Sequence, residues 1–116
     1  MRLIERSLSD RGLAIVTLHG RHSEYVQRTK WRYVEDDLFQ EITRTLGTEG
    51  FGYVGYPASI RSTFNEQATY GISLMRPHWA VRCVEANDQI RLLGYIERGW
   101  DEHQDVLVFG KPPINE

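Results

Sequence analysis

At 116 residues, with 41% hydrophobic and 26% charged residues, the chain has the size and composition of one folded domain, which excludes a disordered, collagenous or disulfide-built protein. A formal charge of -2 gives no global field, so the totals do not suggest a partner held by bulk positive charge, such as non-specific duplex DNA. The single cysteine, Cys83, excludes an internal disulfide and a multi-cysteine zinc site and points to a reducing compartment.

The opening stretch Met1-Arg-Leu-Ile-Glu-Arg-Ser7 is charged and lacks the apolar core of a signal peptide, and no run approaches the roughly 18 apolar residues of a membrane span. A cytoplasmic protein without a membrane partner is therefore expected. Residues 2–8 and 12–19 are apolar-rich runs separated by Ser9-Asp10-Arg11-Gly12, whose Asp and Gly suit a tight turn, so they read as an opening β-hairpin. Leu13 to Leu18 is almost continuously apolar, as expected of a central strand covered on both faces.

A second turn, His19-Gly-Arg-His-Ser23, leads into a basic, aromatic stretch. From Gln27 to Tyr33 the alternation is strict, with Gln27, Thr29, Trp31 and Tyr33 on one side and Arg28, Lys30 and Arg32 on the other, so a strand is predicted to about Tyr33. The helical stripe formed by Trp31, Val34, Leu38, Ile42 and Leu46 is a rival reading that would start the helix near Thr29. The helix over 35–46 has an apolar face of Val34, Leu38, Phe39, Ile42 and Leu46. Glu35, Asp36 and Asp37 sit in its first turn, where the dipole favours anions, and Gly47 is its expected stop.

Glycine and tyrosine then dominate Gly50 to Pro57, and a polar run from Ser59 to Ala68 predicts loops. From Thr69 the pattern gives four strands, 69–76, 79–86, 89–97 and 105–110, broken at Pro77-His78, Asn87-Asp88 and Gly99-Trp100-Asp101. The tail, 111–116, is short and polar. The expected fold is a single α+β domain over 1–116, a mainly antiparallel β-sheet of about six to eight short strands with one principal α-helix packed on it. Its parts are an N-terminal hairpin or meander over 2–33, the helix over 35–46 and a C-terminal antiparallel meander over 69–110.

Gly50-Phe-Gly-Tyr-Val-Gly55 matches G-x-G-x-x-G, but a dinucleotide loop must follow a strand and open a helix, whereas this one follows a helix. A glycine-rich turn or twisted edge strand is expected instead. His19 and His22 form an H-x-x-H pair that His78 and His103 could complete. Nothing in the spacing forces the four to converge, so no metal site and no cofactor are predicted. Cys83 in an apolar alternation reads as an inert small hydrophobe, and the pairs Asp36-Asp37 and Asp101-Glu102 as capping and turn residues.

The basic, aromatic stretch carries the functional expectation. Arg21, His22, Arg28, Lys30, Trp31 and Arg32 supply cations for an anion and a flat ring for stacking. The alternative is that the same cations are solvated or paired with Glu35, Asp37 and Glu41. A non-enzymatic binding module for an anionic ligand (a nucleotide or nucleic acid) or for an acidic protein surface is the leading reading. A small metal- or histidine-dependent hydrolase acting on a phosphorylated or nucleotide substrate, with His19, His22, His78 or His103 as general base or metal ligand, is the alternative, and a structural subunit acting by self-assembly, such as a homodimer, is the third.

Overall fold

The computed structural model describes residues 2–30, 35–55 and 71–111, with Arg2 as backbone only. The chain is α+β with antiparallel sheets. Among the described residues the elements run α1 Arg2–Ser7, β1 Leu13–Leu18, α2 Arg21–Thr29, α3 Asp36–Glu49, β2 Phe51–Gly55, β3 Gly71–Met75, α4 Pro77–Glu85, β4 Arg91–Trp100 and β5 Gln104–Gly110. They form a three-stranded sheet in the order β1-β5-β4 and a two-stranded sheet β2-β3. In the described residues, then, five strands and four helices replace the expected six to eight strands and one principal helix.

β5 is the central strand, paired antiparallel with both neighbours, and it carries the fully buried Phe109 with buried Val106 and Leu107. The register fixes the two faces, because directly opposed residues share a side. Ala14, Phe109 and Leu92 lie in one row and Val16, Leu107 and Tyr95 in the next. These rows meet α4 through Ala80 and Val84, and α1 through Ile4, with Leu8 packing just beyond it. The opposite face holds Leu13, Ile15, Val108 and Ile96. Ile15 and Ile96 there are 70% and 55% exposed, so no element of the described residues covers them. β1 is therefore an edge strand buried on one face only, and the expectation of a doubly covered central strand is corrected.

α3 packs on the β2-β3 sheet through Ile42 and Leu46, against Val54, Ile72 and Leu74, with Leu38 and Phe39 beside them. This predicted apolar face is present, although Val34 lies outside the described residues. The helix passes Gly47 and ends at Gly50, which takes the left-handed φ of 87° and returns its N–H to the Leu46 carbonyl at 3.0 Å. Gly52 then lets β2 approach the helix, since a Cβ there would lie 2.3 Å from the Ile42 carbonyl oxygen. Two glycines of the G-x-G-x-x-G string thus serve a helix stop and a helix–strand contact, and Phe51–Gly55 is strand, one of the two structures expected of it.

Four further expectations change. Residues 2–7 are helix, because Ile4 and Leu8, one helical turn apart, both reach the core. The predicted strand over 79–86 is α4. Pro77 opens it at the first turn, where its missing N–H costs nothing, and Ala80 and Val84 supply its buried i,i+4 stripe. The basic stretch is helical through Thr29, with Lys30 as C-cap, so the strand expected from Gln27 is corrected over its described part; residues 31–34 lie outside it. The four-strand C-terminal meander reduces to the β4-β5 hairpin, with β3 belonging to the other sheet. The expected loops over 59–68 and most of the tail lie outside the described residues. Lys111, at the tail's start, bonds the Leu8 carbonyl and stands 3.6 Å from Glu5.

Candidate functional site

The fixed point of the site is Asp105, the second residue of β5, whose side chain is fully buried at the end of the three-stranded sheet. Its carboxylate accepts a hydrogen bond from the Tyr95 hydroxyl, and its Oδ1 accepts the Arg98 backbone N–H at 3.0 Å. Burying a carboxylate is tolerable only with such donors. Burial, then the bond to Asp105, pushes the Tyr95 phenol well above its ordinary range, so it stays a donor. Arg98, at φ 57°, and the turn residues Asp101 and Glu102, at φ 52° and 53°, bend the β4-β5 connection around this carboxylate.

Gly20 lies against the other side of Asp105. A Cβ on Gly20 would stand 1.9 Å from Oδ2, so only glycine lets α2 begin here. The chain is tied down on both sides of this point. The Met75 N–H donates to the His19 carbonyl at 2.9 Å, which links the two sheets, and Arg21 forks onto Glu97 of β4 with two contacts of 2.6 Å. The Arg21 bond holds the Glu97 carboxyl below its usual value.

That anchoring brings together three of the four histidines. The His103 ring lies 6.4 Å from His19 and 5.7 Å from His22, centroid to centroid. His22 in turn stacks on Tyr25 at 6.1 Å, and the Lys30 ammonium stands 5.6 Å from the Tyr25 ring. The result is a stripe, His19-His103-His22-Tyr25-Lys30, running from the sheet junction along α2. Both titrating histidines with a resolved direction are held below the ordinary value. For His19, burial leads, opposed by a hydrogen bond to the Ser73 backbone. For His22, burial leads as well, followed by Arg98, His103 and Lys30, with Asp105 pulling the other way. His103 thus meets the His22 ring directly, and the charges of Arg98 and Lys30 act on it.

The expected site residues divide accordingly. Arg21, His22 and Lys30 lie at this site, although Arg21 is already committed to Glu97. Arg28 does not join them: its guanidinium bonds Glu24 at 2.8 Å, and Arg76 reaches the same carboxylate at 3.3 Å. Glu24, whose side chain is 8% exposed, is the buried counter-charge that fastens α2 to the start of α4. Trp31 and Arg32 lie outside the described residues. His78 is the second residue of α4 and lies beside Gly50. Sequence reasoning named His103 only as a residue that could complete the His19 and His22 pair, and it missed Arg98 beside the stripe and Asp105 as its support. The available signal was Asp105 itself, a carboxylate directly before the apolar run Val106 to Phe109.

Beside the histidines a cleft of about 210 Å³ is lined by Thr17, Leu18, His19, Ser73, Met75 and Gln104. Gln104 Nε2 lies 3.4 Å from His19 Nε2, so the amide and the imidazole meet at its wall. Among the described residues no three His, Cys, Asp or Glu side chains are arranged to hold a metal ion, and no helix is long and apolar enough to cross a membrane. No protein-family model, curated protein or solved structure significantly matches this chain.

Proposed function

We propose that this chain is a non-enzymatic binding module for an anionic ligand, held by His22, His103, Lys30 and Arg98 and framed by Arg21. The observation that carries the reading is the stripe in which the His22 ring meets His103 and stacks on Tyr25 below Lys30; His22 is also held below its ordinary pKa, by desolvation first and then by neighbouring cations. An anion placed there relieves that repulsion and gains charge-assisted hydrogen bonds from the protonated ring. Arg98 donates its Nε–H to the neutral Glu102 carbonyl at 2.8 Å, so that bond leaves its charge uncompensated.

The same geometry ranks the ligand classes. A nucleobase stacking on Tyr25 would compete with both His22 and Lys30 for that ring, which favours a phosphate or similar head over a single strand. A histidine-dependent hydrolase is weaker support for these residues, because the nearby buried carboxylate of Asp105 is engaged by Tyr95 and the Arg98 N–H rather than orienting an imidazole. Calorimetric titration of inorganic phosphate and pyrophosphate at pH 6 and pH 8 tests the proposal. Binding at pH 6 that weakens at pH 8 and drops roughly tenfold in His22→Ala supports it. No heat at either pH with folded protein removes it.

A second reading is supported by the uncovered sheet face, with Leu13, Ile15 and Ile96 between 55% and 70% exposed. Its occupant would be a second copy, because the centre of the face offers no charge to select another partner. Three strands about 4.8 Å apart and six residues long span roughly 14 by 20 Å. That falls short of the roughly 800 Å² per partner of a standard interface, so association through this face alone is weak and ranks second. Light scattering across a concentration series decides it: growth of a dimer that Ile15→Lys abolishes supports this reading, and a constant monomer mass ends it.

A further inference from the structure

Resting on the anion-binding reading, we infer that the ligand is a compact phosphomonoester of a small polyol, its phosphate on His22 and His103 and its organic body in the cleft between the two sheets. Continuity is the first argument. His19 lines the cleft, and its ring is in edge contact with the His103 ring, which also meets His22, so head and body positions adjoin through one side chain.

Size is the second. The cleft, of about 210 Å³, is small. A three-carbon polyol of six heavy atoms fills that space, whereas a nucleoside, with a base and a ribose, exceeds it. Pockets for drug-sized ligands start at about 300 Å³.

The lining chemistry agrees. Ser73 and Gln104 bring a hydroxyl and an amide able to donate and accept, while Leu18 and Met75 supply apolar wall. That mixture suits a body of alternating C–H and O–H groups better than a purely apolar chain. The head is a phosphate rather than a carboxylate on charge. His22 and His103 adjoin at the head position and the charges of Arg98 and Lys30 act on His22, which suits a doubly charged group better than a carboxylate; a phosphomonoester presents three acceptor oxygens with a second pKa of about 6.

The test uses the full chain and three probes, inorganic phosphate, glycerol phosphate and adenosine monophosphate, titrated calorimetrically at pH 6. Glycerol phosphate is expected to bind roughly tenfold more tightly than either of the others. In Ser73→Ala and Gln104→Ala its advantage over inorganic phosphate should shrink to about twofold, with unfolding midpoints confirming that both variants fold. If inorganic phosphate or adenosine monophosphate binds as tightly as glycerol phosphate, the cleft does not hold the body and this inference fails while the anion site stands. If none of the three binds, the anion-binding reading itself fails and takes this one with it.

Discussion

Replacing Gly20 with alanine perturbs the site at its tightest point. The new methyl would lie 1.9 Å from Asp105 Oδ2 and 2.5 Å from its Cγ, so the carboxylate must retreat about 1.5 Å to reach an ordinary contact of 3.4 Å. The retreat breaks or stretches the bonds from the Tyr95 hydroxyl and the Arg98 N–H. Hydrogen bonds to a charged group contribute about 1.5–3 kcal/mol each, and a buried carboxylate left short of donors also bears its desolvation cost, so a loss of about 3–5 kcal/mol is expected. That is a large share of a typical total of about 5–15 kcal/mol. It corresponds to a fall in Tm of about 12–20 °C for a chain of this size.

Urea denaturation followed by circular dichroism measures this loss. Gly47→Ala is the matched control, because no heavy atom lies within 4 Å of its Cβ position within α3. There the same change should stabilise the protein by about 0.5–1 kcal/mol through helix propensity. In an Asp105→Ala background the cost of Gly20→Ala should shrink well below its single-variant value, since the two changes act on one contact. A Gly20→Ala variant within about 0.5 kcal/mol of the parent would refute the argument that this glycine exists to admit Asp105.

Other consequences concern titration, reactivity and the open face. His19 and His22 are both held below the ordinary value near 6.5, so the unfolded chain binds protons first; stability should be full above about pH 6.5 and fall as pH drops through the lower folded values. Urea midpoints from pH 5 to 8 check this, and His22→Gln should flatten the slope, whereas a flat parent profile would contradict it. Burial pushes the half-buried Cys83 thiol up, so at pH 8 it should react with a disulfide reagent at least roughly tenfold more slowly in the folded protein than in urea. Ile15→Lys on the uncovered face should change stability by less than about 0.5 kcal/mol, as surface substitutions do; a loss above 2 kcal/mol would mean that the face is covered.

The α+β class and α3 were legible because Leu38, Phe39, Ile42 and Leu46 follow one helical stripe. The β4-β5 hairpin was legible from its apolar runs and turn residues. α2 was not, and the reason lies in its buried face, Ser23, Glu24, Val26 and Gln27. These have helical spacing but are mostly polar, so hydrophobic periodicity is silent there while the accidental alternation of Gln27 to Tyr33 speaks for a strand. Glu24 can be buried because Arg28 and Arg76 neutralise it, and Arg76 lies 52 positions away. Pro77 was read as a break between strands, although a proline followed by Ala80 and Val84 equally announces a helix start. The histidine cluster was beyond the reach of spacing. His103 meets His19 and His22 only because β5 runs antiparallel beside β1, a pairing between chain ends.

The central claim is an anion site on His22 and His103, and histidine ring signals followed by NMR during a phosphate titration at pH 6.5 test it most directly. Saturable shifts of the His22 and His103 rings are expected, with a rise in the apparent pKa of His22 when phosphate is bound and no comparable shift of His78. Shifts of equal size at all four histidines, or none at His22 and His103, would contradict it.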